Sequence, residues 1–246
     1  MSVTKRTVQM NFYVYVDSVV FTINPDRSVD PRDRLEVLVM QRPERPNKSQ
    51  WALPGGLVGE KERLEDTAVR KVKEETGITL KSSELHQVGA FGDPDRDNRY
   101  RAIAVAYVAL VPHPGATQAV KNSEQAEFIP IRKLINKKLL EFDHARIIES
   151  ARKTAESLLE DTPVALHFCE NKFTISDLRN VYEAFLQYEV DPANFRRKVD
   201  AVTGFVVPLK EYFDSGSSPG RPALMYKAGT LKALPTPIRF RRIDNK

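Results

Sequence analysis

The sequence predicts an α/β protein of two domains: an N-terminal α/β/α sandwich with a mixed sheet, followed by a smaller domain of short helices and a β-hairpin. In the first 142 residues, apolar and β-branched runs alternate with charged loops and one strongly periodic helix. Short helical segments with clear N-caps follow residue 161, and positive charge is concentrated in the last quarter of the chain. A length of 246 residues is sufficient for two ordinary domains.

The two parts of the chain differ in net charge. Residues 191–246 carry 11 Lys and Arg against 5 Asp and Glu, a net charge of +6, whereas the first 190 residues carry 27 and 28. A basic C-terminal part beside a nearly neutral one indicates a reader of a polyanion attached to something else. We expect no membrane span and no signal peptide, and we expect a reducing cytoplasm because Cys169 is the single cysteine.

Five segments of the first domain are predicted as strands because they are rich in Val, Ile, Tyr and Phe or carry apolar runs between turn signals. They are residues 11–23, 35–42, 85–91, 102–111 and 128–131. The run at 102–111 is apolar throughout and is expected at the centre of the sheet. Pro130 interrupts the last segment, which is therefore expected at an edge, and a helical turn is predicted after it.

The stretch WALPGGLVGEKERLEDTAVRKVKEETGITL at residues 51–80 contains the strongest motif. A Gly-Gly loop after a proline leads into a helix, predicted from about residue 62 to residue 76 and ended by Gly77. The helix has an apolar stripe at every fourth residue and one compact charged patch. Free N–H groups leading into close carboxylates suit a polyphosphate and its Mg²⁺, with Glu74 and Glu75 as candidate metal ligands.

This stretch resembles the Nudix box, and the matching positions are Gly56, Glu62, Arg70, Val72, Glu74, Glu75, Gly77 and Ile78. The resemblance implies a Nudix sandwich. One position departs from the family pattern: a glutamate that helps to hold the metal and drives hydrolysis is replaced by Lys71. An ammonium repels a catalytic metal but attracts a pyrophosphate. The departure predicts that the pocket binds a nucleoside diphosphate compound and cleaves it poorly or not at all, with Glu74 and Glu75 as vestiges of catalysis.

The loop GDPDRDNRYR at residues 92–101 resembles the substrate loop of the ADP-ribose pyrophosphatase branch of that family. Carboxylates suit ribose hydroxyls, and the guanidinium fork of arginine suits a pyrophosphate. The predicted ligand contacts are Arg42, Gly55, Gly56, Lys71, Glu75, Asp93, Arg96 and Arg99. A simple solvated position remains the alternative for Arg42 and for each charged residue of the loop.

Residues 143–160 form an amphipathic pattern and are predicted as a helix linking the two domains. Two short helices follow, the first capped by Thr174 and the second opened by Asp191 and Pro192. A strand pair at 206–213 and 223–227 encloses a flexible loop tipped by Arg221. This order predicts a winged helix-turn-helix, with the second helix as the DNA-reading element.

The predicted DNA contacts lie on the two helices or on the wing. They are Thr174, Asn194, Arg196, Arg197, Lys198, Arg221, Pro222 and Lys227. Arginine reads guanine and clamps phosphates, and asparagine suits adenine. The residues after 229 show little pattern, and we leave open whether they add phosphate contacts or form a disordered end. The predicted domains are residues 1–142, a linker helix at 143–160, and residues 161–246.

A Nudix box lacking one glutamate, followed by FDH at 142–144, NFRRK at 194–198 and GRPA at 220–223, is similar to the NrtR family, the Nudix-related transcriptional regulators of NAD metabolism in bacteria. The resemblance implies a homodimeric repressor of NAD-metabolism genes that binds double-stranded operator DNA and is released by ADP-ribose. It implies no required cofactor, and a role for Mg²⁺ stays open. The alternatives are an active ADP-ribose or nucleotide pyrophosphatase with an appended nucleic-acid-binding module, and an RNA-binding or scaffold protein.

Overall fold

The computed structural model describes residues 11–41, 50–97, 99–113, 126–213 and 222–241. The strands are β1 (Tyr13–Ile23), β2 (Leu35–Gln41), β3 (Trp51–Ala52), β4 (Gly55–Leu57), β5 (His86–Phe91), β6 (Ala102–Leu110), β7 (Ala126–Pro130), β8 (Phe173–Thr174), β9 (Val206–Phe213) and β10 (Ala223–Ala228). The helices are α1 (Leu64–Thr76), α2 (Ile131–Asn136), α3 (His144–Asp161), α4 (Ile175–Leu186) and α5 (Pro192–Asp200). The expected strands and helices are present, and their ends agree with the predicted ones or differ by one or two residues.

The first domain is built on a seven-stranded mixed sheet with the order β3-β2-β1-β6-β5, with β4 paired to β1 and β7 paired to β2. β1 and β6 run parallel, and the other pairs are antiparallel. The apolar run at 102–111 forms β6, which lies between β1 and β5, so its predicted interior place is confirmed. A parallel neighbour and helices on both faces explain why the run is apolar throughout.

The side chains of β1 alternate between two helical layers. Val16 and Val20 face the layer that contains Ala68 and Val72 of α1. Phe21, on the opposite face, packs in the cluster that contains α3. This period of two is what a strand buried on both faces requires, and it confirms the predicted α/β/α sandwich.

Helix α3 does more than link the domains. Its apolar side chains at Ile147, Ile148, Ala151, Ala155 and Leu159 are almost completely buried and belong to the main core cluster. The helix packs on β1, β5 and β6 and also on α4. It therefore forms one layer of the sandwich as well as the connection.

The two parts of the chain share one apolar core. The ring of Phe21 from β1 meets the ring of Phe185 from α4 edge to face, with centroids 6.0 Å apart. Close by, the amide of Gln187 donates to the carbonyl of Arg32 at 2.9 Å. Contacts of this kind fix the orientation of the second domain on the first, so a displacement in the sandwich can reach the helices beyond it.

The second domain has the predicted winged helix-turn-helix architecture, with α4 and α5 against a small sheet of order β8-β10-β9. Thr174 and Asp177 form a reciprocal capping box at the start of α4. Phe195 and Val199 are the buried face of α5, as their spacing predicts. Strand β8 was not predicted because two residues are too short to show a period.

Helix α1 starts at Leu64, two residues later than predicted, because Arg63 is extended and serves as the N-cap. Its end at Thr76 is confirmed, and Gly77 adopts a left-handed conformation with φ 77°. A residue with a side chain is strained at that φ, so glycine suits the helix end. None of the helices in the described ranges is long and apolar enough to cross a membrane.

Candidate functional site

The Gly-Gly loop is pressed between β1 and α1. The backbone N–H of Gly55 donates to Oε2 of Glu75 at 3.0 Å. A Cβ atom at Gly55 would lie 2.2 Å from the carbonyl oxygen of Val16, and one at Gly56 would lie 2.6 Å from Cε of Lys71. Glycine at 55 is therefore required by the backbone of β1, and glycine at 56 leaves room for the lysine stem.

Lys71 lies among the carboxylates of α1. Its Nζ is 3.3 Å from Oε2 of Glu74 and 3.9 Å from Oε1 of Glu75. Partial desolvation raises the pKa of Glu74, but hydrogen bonds from Arg70 and Lys71 outweigh it, and the pKa is lowered overall. The ammonium thus supplies positive charge where two carboxylates converge.

Glu62 holds α1 to the preceding loop. The guanidinium of Arg70 donates to both of its carboxylate oxygens, at 2.6 and 2.7 Å, and the hydroxyl of Thr67 donates at 2.8 Å. The hydrogen bonds from Arg70, followed by that from Thr67, lower the pKa of Glu62 to about 2. Glu62 is therefore ionised at neutral pH and already has partners.

The Nudix box resemblance raises the question of Mg²⁺. Magnesium needs near-octahedral oxygen ligands, usually one or two carboxylates with waters and substrate phosphates. In the part of the chain that the structure describes, no group of three or more His, Cys, Asp or Glu side chains could hold a metal ion. Since Lys71 contacts Glu74 and Glu75, this arrangement does not fit a divalent cation as it stands.

Arg96, predicted as a ligand contact, is buried with acidic partners. Its side chain is 6% exposed, and NH2 lies 3.1 Å from Oδ2 of Asp17 and 3.0 Å from Oδ1 of Asp143. The two acidic groups come from β1 and from the residue before α3. Arg96 therefore ties the loop at residues 92–97 to both elements.

The other predicted residues of this loop are more exposed. Arg99 donates to both carboxylate oxygens of Asp97, at 2.8 and 2.6 Å, and lies 4.9 Å from the centroid of the Tyr100 ring. Asp93 accepts from the guanidinium of Arg146 in α3. An exposed arginine fork over an aromatic ring remains a suitable contact for a pyrophosphate or a base.

A narrow cleft of about 20 Å³ lies beside this loop, with space for about one water. It is lined by Tyr15, Asp17, Arg96, Asp97, Arg99, Phe142 and His144. Nδ1 of His144 accepts from the backbone N–H of Leu53 at 3.1 Å, so the ring proton is on Nε2, 3.9 Å from Asp17. Any nucleotide that enters here must displace side chains.

Four of these residues, Tyr15, Asp17, Phe142 and His144, lie outside both the predicted contacts and the predicted loop at residues 92–101. Asp17 gave a usable signal because an acidic residue interrupts the apolar strand at 13–23. Phe142 has a left-handed backbone with φ 49°, which is strained for an aromatic residue and is found preferentially at functional sites. Nothing in the local sequence shows that strain.

On α5, Arg196 and Lys198 are turned towards their own domain. Arg196 donates to Asp200 at 2.9 Å and to the Tyr226 hydroxyl of β10 at 2.7 Å. The ammonium of Lys198 lies 5.6 Å from the centroid of the Phe240 ring. Both residues therefore hold α5 to neighbouring elements.

Arg197 is exposed, and its guanidinium donates to Oδ1 of Asn194 at 2.8 Å. These two residues are three apart, on one face of α5, and present an arginine already oriented by an amide. Such an orientation lowers the entropic cost of reading a base edge. The structure thus brings together two of the predicted DNA contacts at an accessible surface.

The other predicted DNA contacts lie on the wing or at the start of α4. Pro222 and Lys227 are exposed on the wing. The hydroxyl of Thr174 is buried and occupied by the capping box with Asp177, so this geometry gives no support to its predicted contact with DNA. Arg221, predicted as a DNA contact, and Arg42, predicted as a ligand contact, fall outside the described residues.

Comparison with known proteins matches both parts of the chain. Residues 20–151 match the NUDIX domain, and residues 165–228 match the NrtR DNA-binding winged helix domain. The chain belongs to the Nudix family and carries a winged helix of the NrtR type.

Relatives of this Nudix protein include a regulator and an enzyme. The ADPR responsive transcriptional repressor NtrR of Acinetobacter baylyi is 31% identical over 86% of this chain and 80% of its own length. An ADP-ribose pyrophosphatase of Methanocaldococcus jannaschii is 36% identical over 46% of this chain and 64% of its own length. The crystal structure of Shewanella oneidensis NrtR complexed with a 27mer DNA superposes with a TM-score of 0.69 and 26% identity, covering 92% of this chain and 99% of that one.

Within the Nudix domain, the predicted contacts Gly55, Gly56, Lys71 and Glu75 come together at one place. Asp93, Arg96 and Arg99 lie on a neighbouring loop that contacts β1 and α3. The structure thus brings the predicted contacts together in two groups, and their roles as ligand contacts stay predictions.

Proposed function

We propose that this chain is a transcriptional repressor that binds operator DNA through its winged helix and releases it when ADP-ribose occupies the Nudix pocket. The likeness to the A. baylyi repressor over most of both chains supports this function. The likeness to a NrtR structure that contains DNA supports the proposed mode of binding. The chain acts in the cytoplasm as a homodimer, and each winged helix reads one half of a palindromic operator.

The observation that favours a sensor over an enzyme is the position of Lys71. Its ammonium lies near two carboxylates of the Nudix helix, and its stem passes over Gly56. A cation fixed there attracts a pyrophosphate without a metal ion, whereas hydrolysis in this family needs a glutamate at the same position. The pocket therefore holds ADP-ribose and does not turn it over at enzymatic rates.

The route from pocket to DNA starts at the loop after β5. Arg96 binds Asp143, and Asp93 binds Arg146, so this loop is joined twice to the first turn of α3. Near its far end, α3 contacts α4, where the Tyr182 hydroxyl donates to the carbonyl of Leu159 at 2.9 Å. Ligand entering the narrow cleft must move this loop. The movement displaces α3 and then the winged helices of the two subunits of the dimer.

The test is a binding measurement with the full chain. We expect it to retard a duplex carrying its operator at low ionic strength, and ADP-ribose should weaken that complex. By linkage, operator DNA must weaken ADP-ribose binding by the same factor. Equal ADP-ribose affinities with and without operator, measured by calorimetry, would dismiss the switch.

A second function, weak hydrolysis, is favoured by the likeness of the Nudix domain to an ADP-ribose pyrophosphatase. Glu62, Glu74 and Glu75 are all present, although each carries a cationic partner. The assay is release of AMP from ADP-ribose in Mg²⁺. Turnover above about 1 s⁻¹, an ordinary enzymatic rate, would make the chain a working hydrolase.

A further inference from the structure

Residues 229–241 follow the wing and lie beyond the span that matches the NrtR winged helix. We call this segment the strap. It turns back along the domain and is held by three backbone hydrogen bonds: Gly229 N–H to the Phe205 carbonyl at 2.8 Å, and Leu234 and Ile238 N–H to the carbonyls of Asp161 and Glu160, both at 2.9 Å. The strap is therefore fixed to the end of α3 and to the corner before β9.

The strap ends on the recognition helix. The ring of Phe240 stacks on Phe195 of α5, with centroids 5.4 Å apart and planes 18° apart, and meets the edge of Tyr182 of α4. Lys198 covers the same ring from α5. Since Phe195 is the fully buried anchor of α5, Phe240 contacts the residue that sets the position of that helix.

The residues just before Phe240 are anchored on the end of α3. Arg239 lies 2.9 Å from Glu160 and 3.7 Å from Asp161, the last two residues of the helix. Ile238, beside it, is completely buried. Backbone, ionic and apolar contacts thus coincide at one helix end, which a loosely attached tail in solvent would not show.

We propose that the strap fixes α5 to the end of α3, and that Phe240 is the positioning residue that sets α5 for discrimination between operator and other DNA. The inference rests on the proposed function, since it assumes that α5 reads the operator. Phe240 stacks on Phe195, and it is through Phe195 and α5 that it acts on DNA. The competing explanation is that the strap only adds phosphate contacts. In that case, replacing its arginines weakens DNA binding and replacing its phenylalanine does not.

The experiment compares three full-length variants with the wild type. Phe240→Ala removes the ring, Phe240→Tyr keeps it, and Arg241→Ala removes an exposed neighbouring charge. For each, the dissociation constant is measured for the duplex that the wild type selects from a random library and for a scrambled duplex of the same length. Sequence-independent binding depends on charge, and discrimination depends on placement of the recognition helix.

We expect Phe240→Ala to lower the ratio of operator to scrambled affinity at least tenfold and to leave scrambled binding unchanged. Phe240→Tyr should restore the ratio, and Arg241→Ala should weaken both duplexes equally. An unchanged ratio in Phe240→Ala, or equal losses on both duplexes, overturns the strap proposal. A wild type without operator preference overturns the proposed function instead, and the strap proposal with it.

Folding of each variant is checked by calorimetry with ADP-ribose, which reports on the Nudix domain, and by thermal unfolding. If Phe240→Ala does not fold, Phe240→Leu replaces it, because leucine fills the apolar site without the flat stacking surface. The same criteria then apply: a tenfold lower ratio supports positioning by the ring, and an unchanged ratio overturns it.

Discussion

NH2 of Arg96 lies 3.0 Å from Oδ1 of Asp143, and the two side chains are 6% and 15% exposed. Arg96 belongs to the loop beside the cleft, and Asp143 immediately precedes α3. A buried ion pair therefore joins the proposed ligand site to the helix that runs to the DNA-binding domain. Removing one partner of such a pair leaves a buried charge, so the link resists gradual deformation.

The first prediction concerns this ion pair. Asp143→Asn keeps the shape of the side chain but removes its charge, and Arg96 then has one charged partner, Asp17. We expect a loss of about 1.5–3 kcal/mol in the free energy of unfolding, as for hydrogen bonds to charged groups. The effect of ADP-ribose on operator affinity should fall below about threefold, against the 5–150-fold typical of allosteric proteins.

The matched control is Asp33→Asn, which weakens the exposed ion pair with Arg132. Exposed pairs contribute about 0–1 kcal/mol, so this variant should unfold like the wild type and respond normally to ADP-ribose. Titration of operator with and without ligand gives the coupling for each protein. Full coupling in a folded Asp143→Asn protein would exclude this pair from the signal route.

The second prediction concerns metal removal. Because Lys71 supplies the cation beside Glu74 and Glu75, ADP-ribose should bind the wild type with the same affinity, within about twofold, in Mg²⁺ and in EDTA. Lys71→Glu should bind about thirtyfold more weakly in EDTA, a loss of about 2 kcal/mol after screening, and should regain affinity with Mg²⁺.

Lys71→Met is the control for packing, because its unbranched apolar chain can pass over Gly56 without the charge. Calorimetry should place its affinity in EDTA between those of the wild type and Lys71→Glu. A tenfold loss of wild-type affinity on adding EDTA would mean that a metal ion, and not the lysine, neutralises the pyrophosphate.

The third prediction concerns Arg197 of α5. Arg197→Ala should weaken operator binding about fivefold to 150-fold, the range of 1–3 kcal/mol for a lost bidentate base contact, and should leave ADP-ribose binding unchanged. Lys73→Ala removes the same charge from an exposed position on α1 and should change neither. If both variants lose equal affinity, the net charge of the protein rather than contact by Arg197 explains binding.

The features that the sequence predicted correctly are determined by residues close together in the chain. The end of α1 at Gly77, the N-cap at Thr174 and strand 206–213 depend on residues a few positions apart, and all three are confirmed. The sandwich followed from the alternation of apolar runs with charged loops and one periodic helix, and from the resemblance to the Nudix box. Local propensity and burial agree in these elements, which is why the pattern suffices.

The partners of charged side chains could not be read in the same way. Arg96 meets Asp17 across 79 positions, and Arg196 meets Tyr226 across 30. Residue type shows that an arginine suits a phosphate. Only the fold shows which carboxylate or hydroxyl lies within hydrogen-bonding distance of that arginine. The strap was missed for a related reason: its few apolar residues, such as Ile238 and Phe240, have no helical or strand period.

The last prediction uses the single cysteine as a reporter of domain contact. Cys169 lies beside Arg27 of the first domain, whose guanidinium reaches Glu170 at 3.1 Å and Asp177 at 3.4 Å. Burial raises the pKa of the Cys169 thiol to about 12, so at pH 8 only about one molecule in ten thousand carries the reactive thiolate. In the unfolded chain the thiol has a pKa near 8.5, and roughly a quarter is ionised at that pH.

Labelling with a disulfide reagent at pH 7, 8 and 9 measures this difference. Because the pKa is raised, the labelling rate of the native protein should increase about tenfold per pH unit across this range. The labelling rate in denaturant should level off above about pH 8.5. If ADP-ribose releases DNA by separating the two domains, saturating ligand should raise the native rate at pH 8. If the rate is unchanged while DNA is released, the domains stay packed at Cys169, and the signal must reach α5 through the end of α3.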